Sequence, residues 1–105
     1  MKRVKGADFP ELRRVFSGYL HEDFLAEYGS PAAALSTFEQ DADASERRRF
    51  RKEAGRFLEQ TEALDLGELR ALLAQLGCRW LAPSRKAVVA LLSERPNPPA
   101  NGTLP

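Results

Sequence analysis

The chain has 105 residues and a net charge of only +1, with 43% hydrophobic and 30% charged residues. This length fits one domain with a single core, and the composition is ordinary for a globular protein in water. No apolar run approaches the roughly 20 residues that cross a bilayer, so we expect neither several domains nor a membrane protein.

The small net charge hides an uneven distribution of charge along the chain. Residues 15–46 contain no Lys or Arg and seven acidic side chains, so this segment carries −7 and the remainder +8. Such a division predicts a strong electrostatic gradient across the folded surface. The seven acidic residues are Glu22, Asp23, Glu27, Glu39, Asp41, Asp43 and Glu46.

The first predicted element is a helix that begins near Phe9. Asp8 and Glu11 have the spacing of a capping box, and Pro10 suits the first turn of a helix. Apolar residues then follow at helical spacing and predict a buried stripe. They are Leu12, Val15, Phe16, Tyr19 and Leu20.

Two further helices are predicted in the middle of the chain. Ser30 before Pro31 indicates an N-cap, so a helix is expected from Pro31 to about Glu39, and Gly29 closes a short helical turn in the segment DFLAEY. Asp43 or Ser45 caps a long helix that is expected to reach about Ala63.

The C-terminal half predicts two more helices. Asp65 and Glu68 form a capping box before a leucine-rich helix that Gly77 ends, and Ser84 caps the last helix. Residues 95–105 contain four prolines and predict a flexible tail, which leaves residues 1–94 as the helical domain. The fold class that follows is all-α, a compact single-domain bundle of four to five helices.

The chemistry of an enzyme or of a metal site has little support in this sequence. His21 is the only histidine and Cys78 the only cysteine, and no convincing third member of a catalytic triad accompanies them. A metal ion would need three or four such ligands, so no metal or other cofactor is expected. A single cysteine cannot form an internal disulfide, which fits the reducing cytoplasm.

The basic run RRRFRK, residues 47–52, places five cations on the long helix. One hypothesis is a small nucleic-acid-binding regulator that uses this run to contact phosphates. The interpretation we favour is a solvated outer face whose cations pair with Glu46, Glu53 and Glu59, because the neighbouring acidic segment would repel a nucleic acid.

Three segments together resemble the immunity proteins of bacterial contact-dependent growth-inhibition systems. They are FPELRRVFSGYLHEDF, YGSPAAALSTF and LGCRWLAPS, and the first contains a Gly-Tyr-x-His-x-Asp-(Trp or Phe) motif. The resemblance implies a helical, cytoplasmic protein without enzymatic activity that binds a toxin domain in a 1:1 complex. Such toxins are frequently nucleases, which must be basic to hold a polyanion.

The sequence and the resemblance together predict a partner-binding surface. By the resemblance, His21 and Asp23 are expected to fix a turn, while the neighbouring acids contact the toxin. Aromatic side chains offer rigid contact area, and acidic ones attract a cationic partner. The predicted residues are Tyr19, His21, Glu22, Asp23, Glu27, Glu39, Asp41 and Asp43.

Overall fold

The computed structural model describes residues 5–93, and within this range every regular element is a helix. A 3₁₀ turn at Gly6–Asp8 precedes six α-helices, five of which are longer than one or two turns. The prediction of an all-α single domain is confirmed, whereas the predicted tail lies outside the described residues. The helices are α1 Pro10–Tyr19, α2 Phe24–Tyr28, α3 Pro31–Asp41, α4 Ala44–Gln60, α5 Leu66–Gln75 and α6 Arg85–Ser93.

Local capping signals account for where most helices begin. Ser30 accepts a hydrogen bond from the Ala33 N–H at 3.0 Å and caps α3. Asp43, and not Ser45, caps α4 in a reciprocal box with Glu46. The predicted box of Asp65 and Glu68 and the predicted cap by Ser84 are also present. These bonds satisfy backbone donors that the first turn of a helix leaves free.

The start of α1 differs from the prediction. Asp8 and Glu11 do not form a capping box, because Asp8 belongs to the preceding 3₁₀ turn and its carboxylate accepts from the Lys5 N–H at 3.3 Å. The free Leu12 N–H of α1 instead donates to Glu53 Oε1 of α4, at 2.8 Å and in a buried position. A carboxylate 41 residues away therefore caps this helix.

All six α-helices contribute side chains to a single core, which is rich in phenylalanine where α1, α3 and α4 meet. Phe9 and Phe57 meet edge to face with ring centroids 5.1 Å apart, and Phe38 and Phe50 are equally close. Such pairs stabilise beyond the area that they bury. The predicted stripe of α1 is buried except for Tyr19, which is partly exposed at the end of the helix.

Two close approaches bring the C-terminal half of the chain against the end of α1. The Arg79 N–H donates to the Leu20 carbonyl at 2.8 Å. Gly77 has φ +84°, and a Cβ at this position would lie 2.8 Å from Ser17 Cβ. Only glycine fits both the left-handed backbone and this contact. Among residues 5–93, none of the helices has the length and apolar character needed to cross a membrane.

Candidate protein-binding surface

The end of α1, the short helix α2 and the end of α3 meet at one side of the bundle. Tyr19 anchors this meeting, because its hydroxyl donates to Asp41 Oδ2 at 2.9 Å and its ring stacks on Tyr28 at 5.9 Å. We call the result the aromatic–acidic surface. It comprises Tyr19, His21, Glu22, Asp23, Leu25, Glu27, Tyr28 and Asp41.

His21 holds the turn that joins α1 to α2. Its Nδ1 accepts a hydrogen bond from the Asp23 N–H at 3.0 Å, so the ring proton of the neutral imidazole lies on Nε2. Nε2 faces Glu27 Oε1 at 2.7 Å. The histidine thus connects the turn to α2, with both ring nitrogens engaged in contacts within the fold.

Tyr19 lies in an environment that favours its protonated form. Burial raises the pKa of Tyr19 to about 12, and the hydrogen bond to the Asp41 carboxylate contributes in the same direction. Burial, followed by the nearby negative charge of Glu27 and Asp41, also raises the pKa of Tyr28. Both phenols therefore stay neutral at physiological pH, and the Tyr19 hydroxyl keeps the proton that it donates to Asp41.

Glu22 and Asp23 carry the free negative charge of this surface. Both residues are exposed, and within residues 5–93 neither carboxylate forms a hydrogen bond or an ion pair. The turn uses the backbone of Asp23 and not its side chain. Leu25, which follows closely, is 61% exposed and gives the acidic rim an apolar neighbour.

Glu39 is located inside the fold. It is only 9% exposed, its Oε1 pairs with Arg51 at 2.7 Å, and its Oε2 has no hydrogen-bond partner among the described residues. Its place on α3, one turn from buried Leu35 and next to buried Phe38, turns it toward α4. Glu39 therefore stabilises the α3–α4 contact and is absent from the exposed acidic face.

The other predicted acids divide between structural and exposed positions. Asp43 is exposed but its carboxylate accepts from the Glu46 N–H at 2.8 Å. Glu46 completes that box and also meets Arg14 at 3.5 Å. The negative segment is consequently concentrated at Glu22, Asp23, Glu27 and Asp41 rather than spread over seven carboxylates.

The predicted ion pairs of the basic run are wrong for the described residues. Arg49 meets Glu11 at 3.5 Å and Arg51 meets Glu39, while Glu53 pairs with Arg56 at 3.6 Å. Helix packing is responsible, because α1 and α3 present their own carboxylates to the two flanks of α4.

The described residues provide no site for a metal ion. No group of three or more potential His, Cys, Asp or Glu ligands occurs in residues 5–93. Cys78 is buried, and burial raises its pKa to about 11. Its thiol is therefore not an activated nucleophile.

Leu25 and Tyr28 belong to the surface but were absent from the predicted set. The stacking of Tyr28 on Tyr19 could have been predicted only with knowledge of the turn at residues 20–23, because this turn brings the two rings together. The exposure of Leu25 has no signal in the local sequence, because its neighbour Phe24 is equally apolar and is buried.

Comparison with known protein families gives one match. A family model described as CdiI immunity protein matches residues 8–92, which is most of the chain. The chain belongs to the CdiI immunity protein family. An immunity protein of this family neutralises a cognate toxin by binding it, and such proteins are generally not enzymes. Neither the curated proteins nor the solved structures gave a match to this immunity protein.

Proposed function

We propose that this immunity protein inhibits its toxin stoichiometrically, as a 1:1 complex formed through the aromatic–acidic surface in the cytoplasm of the cell that makes both. The toxin domain that fits this surface is basic, and a nuclease is the class that requires such a charge, because it must hold a polyanion.

The unpaired carboxylates of Glu22 and Asp23 are the observation that carries this proposal. Charged groups without partners on a folded surface cost little in water and are available to a cationic partner. The surrounding hydrogen bonds of His21 and Tyr19 hold the backbone and the rings in place, so less conformational entropy is lost on binding.

Leu25 supplies the apolar contact that such a surface needs. Interfaces depend on a few apolar or aromatic anchors surrounded by polar groups. An exposed leucine three positions before the partly buried Tyr28 on α2 fits this composition. The proposed contact thus combines a charged rim, which attracts the toxin, with an apolar centre, which retains it.

The test is a paired charge reversal. The variant Glu22→Lys/Asp23→Lys changes two exposed residues whose carboxylates form no hydrogen bond or ion pair within residues 5–93. Glu59→Lys/Glu62→Lys makes the same change in charge at the C-terminal end of α4 and in the turn that follows it. Binding is measured by biolayer interferometry against the toxin domain encoded beside the immunity gene. Residual cleavage of nucleic acid at equal concentrations gives the second readout.

We expect the Glu22/Asp23 variant to associate at least about tenfold more slowly at low salt and to leave the nuclease active, because electrostatic steering depends on local charge. The Glu59/Glu62 variant should bind within about twofold of the natural protein. Equal effects of the two variants, or no effect of either, would show that the toxin binds elsewhere.

A further inference from the structure

An open groove on α4, on the side that faces α3, has an almost entirely cationic lining. It begins at Ala44, and the other lining residues are Arg47, Arg48, Arg51 and Lys52. Within residues 5–93, the only carboxylate that pairs with any of these four cations is Glu39, through Arg51. The groove therefore keeps a local charge of about +3.

The spacing of these cations makes them repel one another when no anion is bound in the groove. Arg47 and Arg51 are four positions apart on the helix, as are Arg48 and Lys52. Residues at this spacing are neighbours on the helix surface, and like charges there repel. An anion bound between these two pairs would reduce the electrostatic repulsion within each pair.

Two of the four side chains are already held in position. Arg47 Nη1 donates to the carbonyls of Glu39, at 2.9 Å, and of Ala42. Arg51 Nη2 donates to Glu39 Oε1 at 2.7 Å. A guanidinium has five N–H donors, so each arginine keeps donors for another acceptor after making these bonds.

The remaining two cations are free to adjust. Arg48 and Lys52 are exposed, and neither forms an ion pair or a side-chain hydrogen bond within residues 5–93. The groove thus combines two guanidinium groups held by hydrogen bonds with two exposed cations that have no partner within residues 5–93, and all four can donate to anionic oxygens.

The lining also indicates which kind of anion fits. None of the lining residues is aromatic or large and apolar. A protein segment usually needs such an anchor, whereas phosphate groups are bound by cations alone. Bases would find nothing to stack on, so binding should not depend on their sequence.

We propose that this groove binds phosphate groups, in addition to the toxin-binding role proposed for the aromatic–acidic surface. The cations span about 7.5 Å along the helix, which corresponds to roughly two or three phosphates of a nucleic-acid strand. A nucleoside triphosphate offers the same chemistry, so both are used as probes.

The experiment measures fluorescence anisotropy of a labelled 12-nucleotide single-stranded DNA with the full chain at 50 mM salt. A nucleoside triphosphate serves as competitor, and a labelled poly-glutamate peptide serves as a protein-like polyanion. The groove variant is Arg48→Glu/Lys52→Glu. Its matched control is Arg13→Glu/Lys86→Glu, which changes two exposed cations outside the groove that make no side-chain contacts within the described residues.

We expect the groove variant to weaken DNA binding at least about tenfold and the control to weaken it less than about twofold. Competition by the triphosphate identifies a small-ligand site, and its failure to compete identifies contact with a nucleic-acid backbone; either result agrees with a phosphate-binding groove. The milder variant Arg48→Gln/Lys52→Gln should show the same order of effects if the charge reversal alters folding.

Three outcomes would overturn the proposal. They are no binding of either phosphate probe by the natural chain, equal weakening by the groove and control variants, and poly-glutamate binding as tight as that of the DNA. The toxin takes no part in these measurements, so such a failure leaves the proposed toxin contact unaffected.

Discussion

Tyr19 shows how a single residue joins three parts of the chain. Its ring contacts Tyr28 of α2 and meets Phe38 of α3 edge to face at 5.7 Å, and its hydroxyl binds Asp41. The residue was predicted as a partner contact, and this role stays a prediction. Its place in the fold already gives it a stabilising function.

The raised pKa of Tyr19 leads to a prediction about pH. The chain has only two tyrosines, so the Tyr28→Phe variant reports Tyr19 alone in an ultraviolet phenolate titration. We expect its midpoint at about 12 in the folded protein. In the unfolded chain the pKa of tyrosine is about 10.

The sign of the stability effect follows from this difference. The contribution of Tyr19 is fully present below about pH 10 and is lost as the pH rises toward about 12, because the unfolded state releases the proton first. The Tyr19→Phe variant lacks this contribution, so its unfolding free energy should decrease less than that of the natural protein over the same pH range. A phenolate titration midpoint of about 10 in the folded Tyr28→Phe variant would contradict the buried, hydrogen-bonded environment of Tyr19.

Among the helices, the local sequence predicts some helix starts correctly and others incorrectly. The box of Asp65 with Glu68 was predicted correctly, and Asp43 was one of two candidate caps for α4, because each cap joins residues three positions apart. The box of Asp8 with Glu11 was wrong. Asp8 belongs to the 3₁₀ turn, so α1 begins one residue later than predicted, and the free Leu12 N–H in its first turn donates to Glu53.

Glu53 is therefore expected to stabilise α1 although it belongs to α4. Glu53→Ala should lower the unfolding free energy by about 1–3 kcal/mol, because the buried Leu12 N–H loses its acceptor. Glu53→Gln should lower it less, since its amide oxygen can still accept. Urea denaturation measures both effects.

Glu59→Ala is the matched control for this prediction. Glu59 lies on the same helix, is exposed and makes no side-chain contact within the described residues, so its loss should change stability by less than about 0.5 kcal/mol. Equal losses in Glu53→Ala and Glu59→Ala would mean that the long-range cap contributes nothing.

At the scale of the whole molecule, ion pairs between helices decide where surplus charge remains. Glu11 of α1 pairs with Arg14 and Arg49, and Glu39 of α3 pairs with Arg51. These contacts neutralise the middle of the bundle. Among the charges that stay unpaired, two groups are clustered: the negative ones near the turn between α1 and α2 and the positive ones in the groove of α4.

This separation predicts how salt affects toxin binding. Raising the salt from 0.1 M to 1 M shortens the screening length from about 10 Å to about 3 Å, so association should slow while dissociation changes little. Stopped-flow mixing at several salt concentrations measures both rates.

Two variants distinguish the contribution of the charged residues to toxin binding from that of the apolar residue. Glu22→Lys/Asp23→Lys should reduce the dependence of the association rate on salt, whereas Leu25→Ala should speed dissociation and leave that dependence unchanged. An association rate that does not respond to salt in the natural protein would contradict electrostatic attraction as the basis of recognition.

The helical class, most helix starts and the resemblance to immunity proteins could be predicted from the amino-acid sequence, because they depend on periodicity, on caps a few residues apart and on contiguous motifs. Which acids are free depends on how the helices pack and could not be predicted. Glu39 and Glu22 look alike in the sequence, but one packs against Arg51 and the other faces solvent. Pairings such as Tyr19 with Asp41 and Leu12 with Glu53 join residues that are distant in the chain, and local patterns carry no information about such contacts.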